Sequence, residues 1–435
     1  MIRSVDMQAT HDRSDLTLSR MEIRALALAS LGGTLEFYDF VVFVFFTTAI
    51  GKLFFAASLP DWVRQFQTFG IFAAGYLARP LGGIVMGHFG DTRGRKRMFT
   101  LSVLLMAIPT LIIGLLPTYQ SIGVAAPLLL LTMRIMQGIA IGGEAPGGWV
   151  FVAEHARHGR SGFAIGLLTC GLSSGILLGS IVATGLNLAY TPAQIVGNGI
   201  WRVPFVLGGV FGFIAMFLRR WLEETPVFEE LRARAAISKD LPVRAVLARH
   251  RRAILASVIS TWTLTAAIVV VILMSPTLLQ KLFAVAPRDA QMANLAGTLA
   301  LCISNVVVGT AIDRFGIRLV AIPSLLLLIA STYGLYLGAP SSALIPLYAL
   351  AGIGAGAITV TPVLMVRAFP SAIRFSGVSF SYNTAYAIFG GITPLLVSWM
   401  VHYNRFSPAH YVAAISILGI LSTFIIPAID SHDVS

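Results

Sequence analysis

Twelve stretches of this 435-residue chain stay apolar for about the length that a helix needs to cross a bilayer, and this limits its fold more than any motif does. A hydrocarbon core ~30 Å thick takes roughly 20 helical residues. The runs fall near 25–53, 64–89, 97–116, 123–152, 161–188, 202–221, 253–280, 291–312, 319–338, 342–366, 374–400 and 411–428. Lipid offers a bare backbone no hydrogen-bond partner, so spans of this length are expected to be helices. Composition agrees, with 56% of residues hydrophobic and only 11% charged, against roughly 25% charged in soluble domains. Disorder, collagen and a disulfide scaffold are excluded. Cys170 and Cys302 each lie inside an apolar run and read as buried small residues, silent on redox compartment.

The net charge of +12 is compatible with nucleic acid or with positive cytoplasmic loops, and the positions of the basic residues decide for the loops. With both termini inside, 23 of the 31 lysines and arginines fall in cytoplasmic segments, while only Lys52, Arg64, Lys281, Arg288 and Arg405 face out. That asymmetry orients a multi-pass protein of the cell inner (plasma) membrane, so the bilayer and not nucleic acid is the expected partner. Residues 1–22 are polar, carry Asp6, Asp12, Asp15 and Glu22, and read as a cytoplasmic tail with no signal-peptide core. The stretch 222–252 is the one long charged loop, with Glu223, Glu224, Glu229, Glu230, Arg232 and Arg234 spaced for helical ion pairs. It divides the chain into an N-terminal six-helix bundle, 23–221, and a C-terminal one, 253–428, with a short tail at 429–435.

An internal repeat supports the six and six division. Gly87, Asp91 and Gly94 follow the second span, and Gly309, Asp313 and Gly316 follow the eighth with the same offsets. Basic residues accompany each copy, Arg93 and Arg95 in the first and Arg314 and Arg318 in the second. Two parallel repeats leave such a trace. The expected fold is therefore an all-α integral membrane protein of twelve transmembrane helices in two six-helix pseudo-repeats.

Ionisable groups inside membrane helices cost roughly 2.5–3.5 kcal/mol each and so mark candidate functional sites. Glu36 and Asp39 share one face of the first span, Arg79 lies in the second, and Arg134 and Glu144 lie in the fourth. The arginines either pair permanently with carboxylates to keep the bundle in register, or the surplus acid carries a coupling proton. Burial beside a second carboxylate disfavours charge and a nearby arginine favours it, so a change of pairing moves a proton. Glu36, Asp39 and Glu144 are the candidates for that task. Arg79 and Arg134 each present a donor fork that fits a carboxylate; each is a candidate substrate ligand or a structural ion pair. Gln137, Asn305, Tyr382 and Asn383 either complete the site or make interhelical hydrogen bonds.

Other patterns are set aside. Gly171, Ser173 and Gly175 match a serine-hydrolase elbow but lie in an apolar span without a preceding strand. His155 and His158 lack a third ligand at metal spacing, and there is no Walker phosphate loop. No enzyme activity, cofactor or metal is expected.

The segment Gly87, Asp91, Arg93, Gly94, Arg95, Lys96 resembles the G-x-x-x-D-R-x-G-R-K loop signature of the major facilitator superfamily, with Thr92 at its first arginine. Further segments resemble the metabolite:proton symporter family within it. Glu36-Phe37-Tyr38-Asp39-Phe40 is similar to E-W-Y-D-F, Arg79-Pro80-Leu81-Gly82-Gly83 reproduces R-P-L-G-G, and Arg134, Gln137, Gly138, Gly142, Gly143 and Glu144 fit R-x-x-Q-G-x-x-x-G-G-E. Trp201 to Phe205 and Glu224 to Phe228 follow in place, as do Arg374, Gly377, Tyr382, Asn383, Gly390 and Gly391 of the eleventh span. Ile317 stands where the second loop copy usually has arginine, and Arg367 where an acid is usual before Phe369-Pro370. The resemblance covers nearly all of 22–428 and implies a proton-coupled carrier of small metabolites. It also favours a gating role for Gly87, Asp91, Arg93, Gly94, Arg95, Glu154, Asp313 and Arg314 over plain helix capping.

The expected function is proton symport of a small organic anion by alternating access, with the chain acting as a monomer. An osmolyte carrier of betaine or proline type, a sugar carrier and a proton-driven exporter are the alternatives. A nutrient sensor is disfavoured because only about seven residues follow the last span.

Overall fold

The computed structural model describes residues 20–221 except 158, residues 242–425 except 340, and a few positions between. The expected tails and most of the charged loop therefore lie outside the described residues, as do the side chains of Glu36 and Arg95.

Among the described residues twelve long helices follow one another: α1 Arg20–Phe45, α2 Asp61–Arg93, α3 Arg95–Leu115, α4 Ala125–His155, α5 Ser161–Ala189, α6 Arg202–Arg219, α7 Arg251–Phe283, α8 Pro287–Phe315, α9 Ile317–Leu337, α10 Leu344–Ala368, α11 Arg374–Met400 and α12 Ser407–Ile425. Ten of them are long and apolar enough by themselves to cross a membrane. The other two are α6, apolar over Arg202–Leu218, and α11, whose Ser376, Ser379, Ser381 and Asn383 are buried in the protein. One expected span is divided: α1 stops at Phe45 and a separate short helix, Thr47–Phe54, follows a break at Phe46. Both pieces are apolar, so hydropathy alone joined them.

The halves repeat each other in packing as well as in sequence. In the first, α1 packs on α5 and α6, α2 on α4, and α3 on α4 and α6; in the second, α7 packs on α11 and α12, α8 on α10, and α9 on α10 and α12. Each pairing of helices n and m in the first half recurs at n+6 and m+6. Two seams join the halves, α2 against α11 and α5 against α8.

Glycine sets how closely these helices approach. A Cβ on Gly138 would strike the Gly75 backbone and one on Gly142 the Arg79 backbone, so α2 and α4 touch main chain to main chain. The repeated glycines have distinct duties. Gly94 (φ 115°) and Gly316 (φ 84°) turn the chain from α2 into α3 and from α8 into α9 in backbone conformations that L side chains rarely adopt. Gly87 and Gly309 instead face the Ser376 and Gly162 backbones across the two seams.

Candidate functional site

At the end of the bundle that carries the repeated loops, two carboxylates close the seams. Asp91, in the last turn of α2, accepts the backbone N–H groups of Phe375 (3.3 Å) and Ser376 (2.9 Å) at the start of α11. Asp313, in the last turn of α8, accepts those of Gly162 (2.8 Å) and Phe163 (2.7 Å) at the start of α5. The first N–H groups of a helix have no partner within it and carry the positive end of its dipole, so a carboxylate there answers both needs. Glu154 of α4 adds an ion pair to Arg374 of α11 at 3.2 Å. Arg367, the departure from the family pattern, pairs with Asp313 at 3.3 Å and donates to Ser161 Oγ at 3.2 Å. Arg160 also lies within electrostatic reach of Asp313, so the second seam gathers its cations around one carboxylate. Arg93 and Arg314 are exposed and lie over Phe89 and Phe315, at 4.4 and 5.2 Å from the ring centroids.

Deeper in the bundle the structure distributes the expected cluster over three places. Arg79 is only 1% exposed and crosses the α2–α11 seam: its Nε donates to Asn383 Oδ1 at 3.3 Å and its guanidinium lies 4.3 Å from the ring centre of Tyr386, with Tyr382 and Tyr76 at 5.3 and 5.7 Å. Asn383 Nδ2 donates to Gly142 O (2.6 Å) and Ser379 O (2.7 Å), binding α11 to α4. Arg79 Nη2 has no hydrogen-bond partner among the described residues.

Arg134, wholly buried, donates to Gln137 Oε1 at 2.8 Å and lies over Phe43 and Phe72. Gln137 Nε2 donates to Thr110 Oγ1 at 2.7 Å, which places a hydroxyl of α3 between the arginine and Asp39. Asp39 is buried against Gly208 and Gly212 of α6, and neither of its oxygens has a hydrogen-bond partner among the described residues. Thr110 has one hydroxyl proton to give: here it goes to Met106 O at 2.9 Å, and the alternative acceptor is Asp39.

Glu144 sits apart from both, accepting Ser102 Oγ at 2.7 Å in the α3–α4 interior. Asn305 belongs to the α5–α8 seam, donating to Ser173 Oγ (3.0 Å) and accepting Thr359 Oγ1 (3.1 Å). Tyr382 meets Trp149 edge to face. Arg79, Tyr382 and Asn383 are thus brought together, as are Arg134 and Gln137, while Glu144 and Asn305 stand in other surroundings.

Reading the residues in order missed Thr110, Tyr76 and Tyr386, whose partners lie on other helices. It also missed a second polar centre. The segment Ala266–Met274 of α7 is a π-helix, and three of its successive carbonyls accept side-chain donors: Val270 O from Ser275 (2.7 Å), Val271 O from Tyr348 (2.6 Å) and Ile272 O from Asn294 (2.7 Å). Asn294, an amide inside an apolar run, was the available signal.

Two pseudo-symmetric bundles, with charged residues buried between them and matching caps at one end, define a secondary transporter. The comparisons with known proteins agree. Residues 25–241 match the family described as sugar (and other) transporter. The chain is 33% identical over 421 residues to the citrate-proton symporter of Klebsiella pneumoniae, covering 94% of this chain and 92% of the relative. It is 30% identical over 425 residues to the glycine betaine/proline/ectoine/pipecolic acid transporter OusA of Dickeya dadantii, covering 92% and 82%. Among solved structures it superposes on the proton:xylose symporter XylE with a TM-score of 0.75 at 17% identity, over 93% of this chain and 95% of that one. The chain belongs to the major facilitator superfamily, within its proton-coupled metabolite symporters. It is a multi-pass membrane transporter and not an enzyme.

Proposed function

We propose that the protein couples the movement of a small organic anion to that of a proton across the inner membrane, with the loop-bearing end and both termini facing the cytoplasm. One observation carries the anion: Arg79 and Arg134 are buried at the heart of the bundle, and an edge of Arg79 is left without a hydrogen-bond partner. A carboxylate of the substrate supplies that partner, and the likeness to a citrate-proton symporter supports the same class. Gln137, Tyr382 and Asn383 position the two arginines, and Asn305 holds the neighbouring seam.

Asp39 takes the proton. Charge on a wholly buried carboxylate is costly, and Thr110 and Gln137 link the Asp39 pocket to Arg134. Glu36 and Glu144 are the other acids that the same proton can visit. Gating falls to the repeated loops: residues 23–221 and 253–428 rock about the seams, joined by the 222–252 linker, and the caps at Asp91 and Asp313 break when the cytoplasmic end opens. Glu154 reinforces the closed state through Arg374; Gly87 and Gly94 permit the close approach and the turn. Arg93, Arg95 and Arg314 belong to the cytoplasmic surface beside them.

A second reading is an osmolyte carrier, since Tyr76, Tyr382 and Tyr386 form the kind of aromatic surface that accepts a quaternary ammonium, and a betaine carrier is among the relatives. A thermal-shift series on the purified protein separates them. Stabilisation by citrate or another carboxylate and none by glycine betaine supports the anion; stabilisation by betaine, unaffected by added carboxylates, transfers the assignment to the osmolyte.

A further inference from the structure

We infer that Cys170 and Cys302 form a dithiol across the α5–α8 seam that a hydroperoxide converts to a disulfide, stapling the two halves together. These are the two cysteines of the chain, both thiols are free, and they sit on opposite halves. Along the antiparallel seam Gly162 packs on Gly309, Gly166 on Asn305 and, two turns further, Ser174 on Cys302, with Cys170 one turn before Ser174 on the same helix. The glycine contacts bring the two backbones close enough for side chains as short as cysteine to meet. Ser174 marks the meeting point: its Oγ donates to Cys170 O at 2.8 Å and lies 3.6 Å from Cys302 Sγ, so one side chain of α5 touches both cysteines across the seam.

The chemistry balances with one equivalent of oxidant. Cys170, half-buried, is the more accessible thiol. It is oxidised to a sulfenic acid as the peroxide O–O bond breaks and the hydroperoxide leaves as its alcohol, or as water for hydrogen peroxide; the Cys302 sulfur then displaces the hydroxyl as water, taking up the thiol proton, and the S–S bond forms. Neither cysteine belongs to the proton path or the substrate site, so the reduced protein does not need them for transport. Once joined, α5 and α8 cannot part, and the end closed by Asp313 stays closed. The inference depends on the seam separating during the cycle and not on the identity of the substrate.

The test uses the full chain in lipid nanodiscs, treated with hydrogen peroxide and then with dithiothreitol. Both thiols should disappear together, non-reducing peptide mapping should recover one intramolecular Cys170–Cys302 link, and amide exchange over 161–170 and 302–315 should slow by about tenfold or more. Dithiothreitol should reverse all three effects. Cys170→Ser and Cys302→Ser should each abolish the link and the slowing, with amide exchange of the untreated protein unchanged. Over-oxidation of one thiol without a link, a link between two molecules, or a link that leaves exchange unaltered would each overturn the proposal.

Discussion

Asp91 accepts the backbone N–H of Ser376 at 2.9 Å, joining the end of α2 to the start of α11 across 285 positions of sequence. Asp313 does the same for Phe163 at the start of α5. Each carboxylate thus stabilises a helix that belongs to the other half. Asp91→Asn keeps an acceptor but removes the charge, and a carboxylate at a helix N-terminus contributes ~1 kcal/mol. The closed state should lose roughly fivefold in population, read as faster amide exchange over 374–380. Wild-type exchange there would show that the cap does not hold the seam.

Gly309 tests the same seam by volume. Its missing Cβ would fall on the Gly162 backbone, which no rotamer change can relieve. Gly309→Ala should therefore leave each bundle folded while preventing full closure, so that alkylation of Cys170 speeds up. An unchanged alkylation rate would mean that the two helices spread without cost.

The spans and their repeat were legible because the bilayer fixes helix length and loop charge, and because a turn like that at Gly94 or Gly316 requires glycine. The site was legible only as a list of costly residues. Sequence placed Asp39 and Glu144 in one charged cluster, whereas one faces α6 and the other Ser102 of α3, since the direction in which a side chain leaves its helix depends on packing. Arg79 and Asn383 are 304 residues apart, beyond any local pattern. Arg367 looked like a plain departure until Asp313 supplied its partner. The π segment left no trace because its nine residues, Ala266 to Met274, are uniformly apolar and carry no period to interrupt.

Glu154 and Arg374 form a pair with side chains 0% and 2% exposed, and breaking a buried ion pair by removing one partner costs about 3 kcal/mol. Glu154→Gln should lower thermal stability clearly. Glu154→Gln with Arg374→Gln should recover a good part of the loss, since both members of the pair are then neutral. A double variant less stable than the single would show that Arg374 is held mainly by its bond to Phe369 O.

Tyr348 donates to Val271 O and accepts from Asn294, so Tyr348→Phe removes two bonds while keeping the ring. Leaving a buried acceptor unpaired costs ~1–3 kcal/mol, and π-turns often mark places where a helix bends in function. The variant should show faster amide exchange over 266–275 than over the rest of α7. Uniform exchange along α7 would instead assign the network to static packing.

Asp39→Asn addresses the coupling directly. The amide is nearly the shape of a protonated carboxyl, so the pocket against Gly208 and Gly212 still fits it and the variant should fold with at least wild-type stability. It cannot release a proton, however, so any change of pairing that depends on a charged Asp39 is lost. Substrate exchange across proteoliposomes needs no net proton movement and should persist, while accumulation driven by an inward proton gradient should fall to the level of wild type with the gradient collapsed. If Asp39→Asn still accumulates substrate against its gradient, the proton rides on another acid; the same measurement on Glu144→Gln and Glu36→Gln then identifies it.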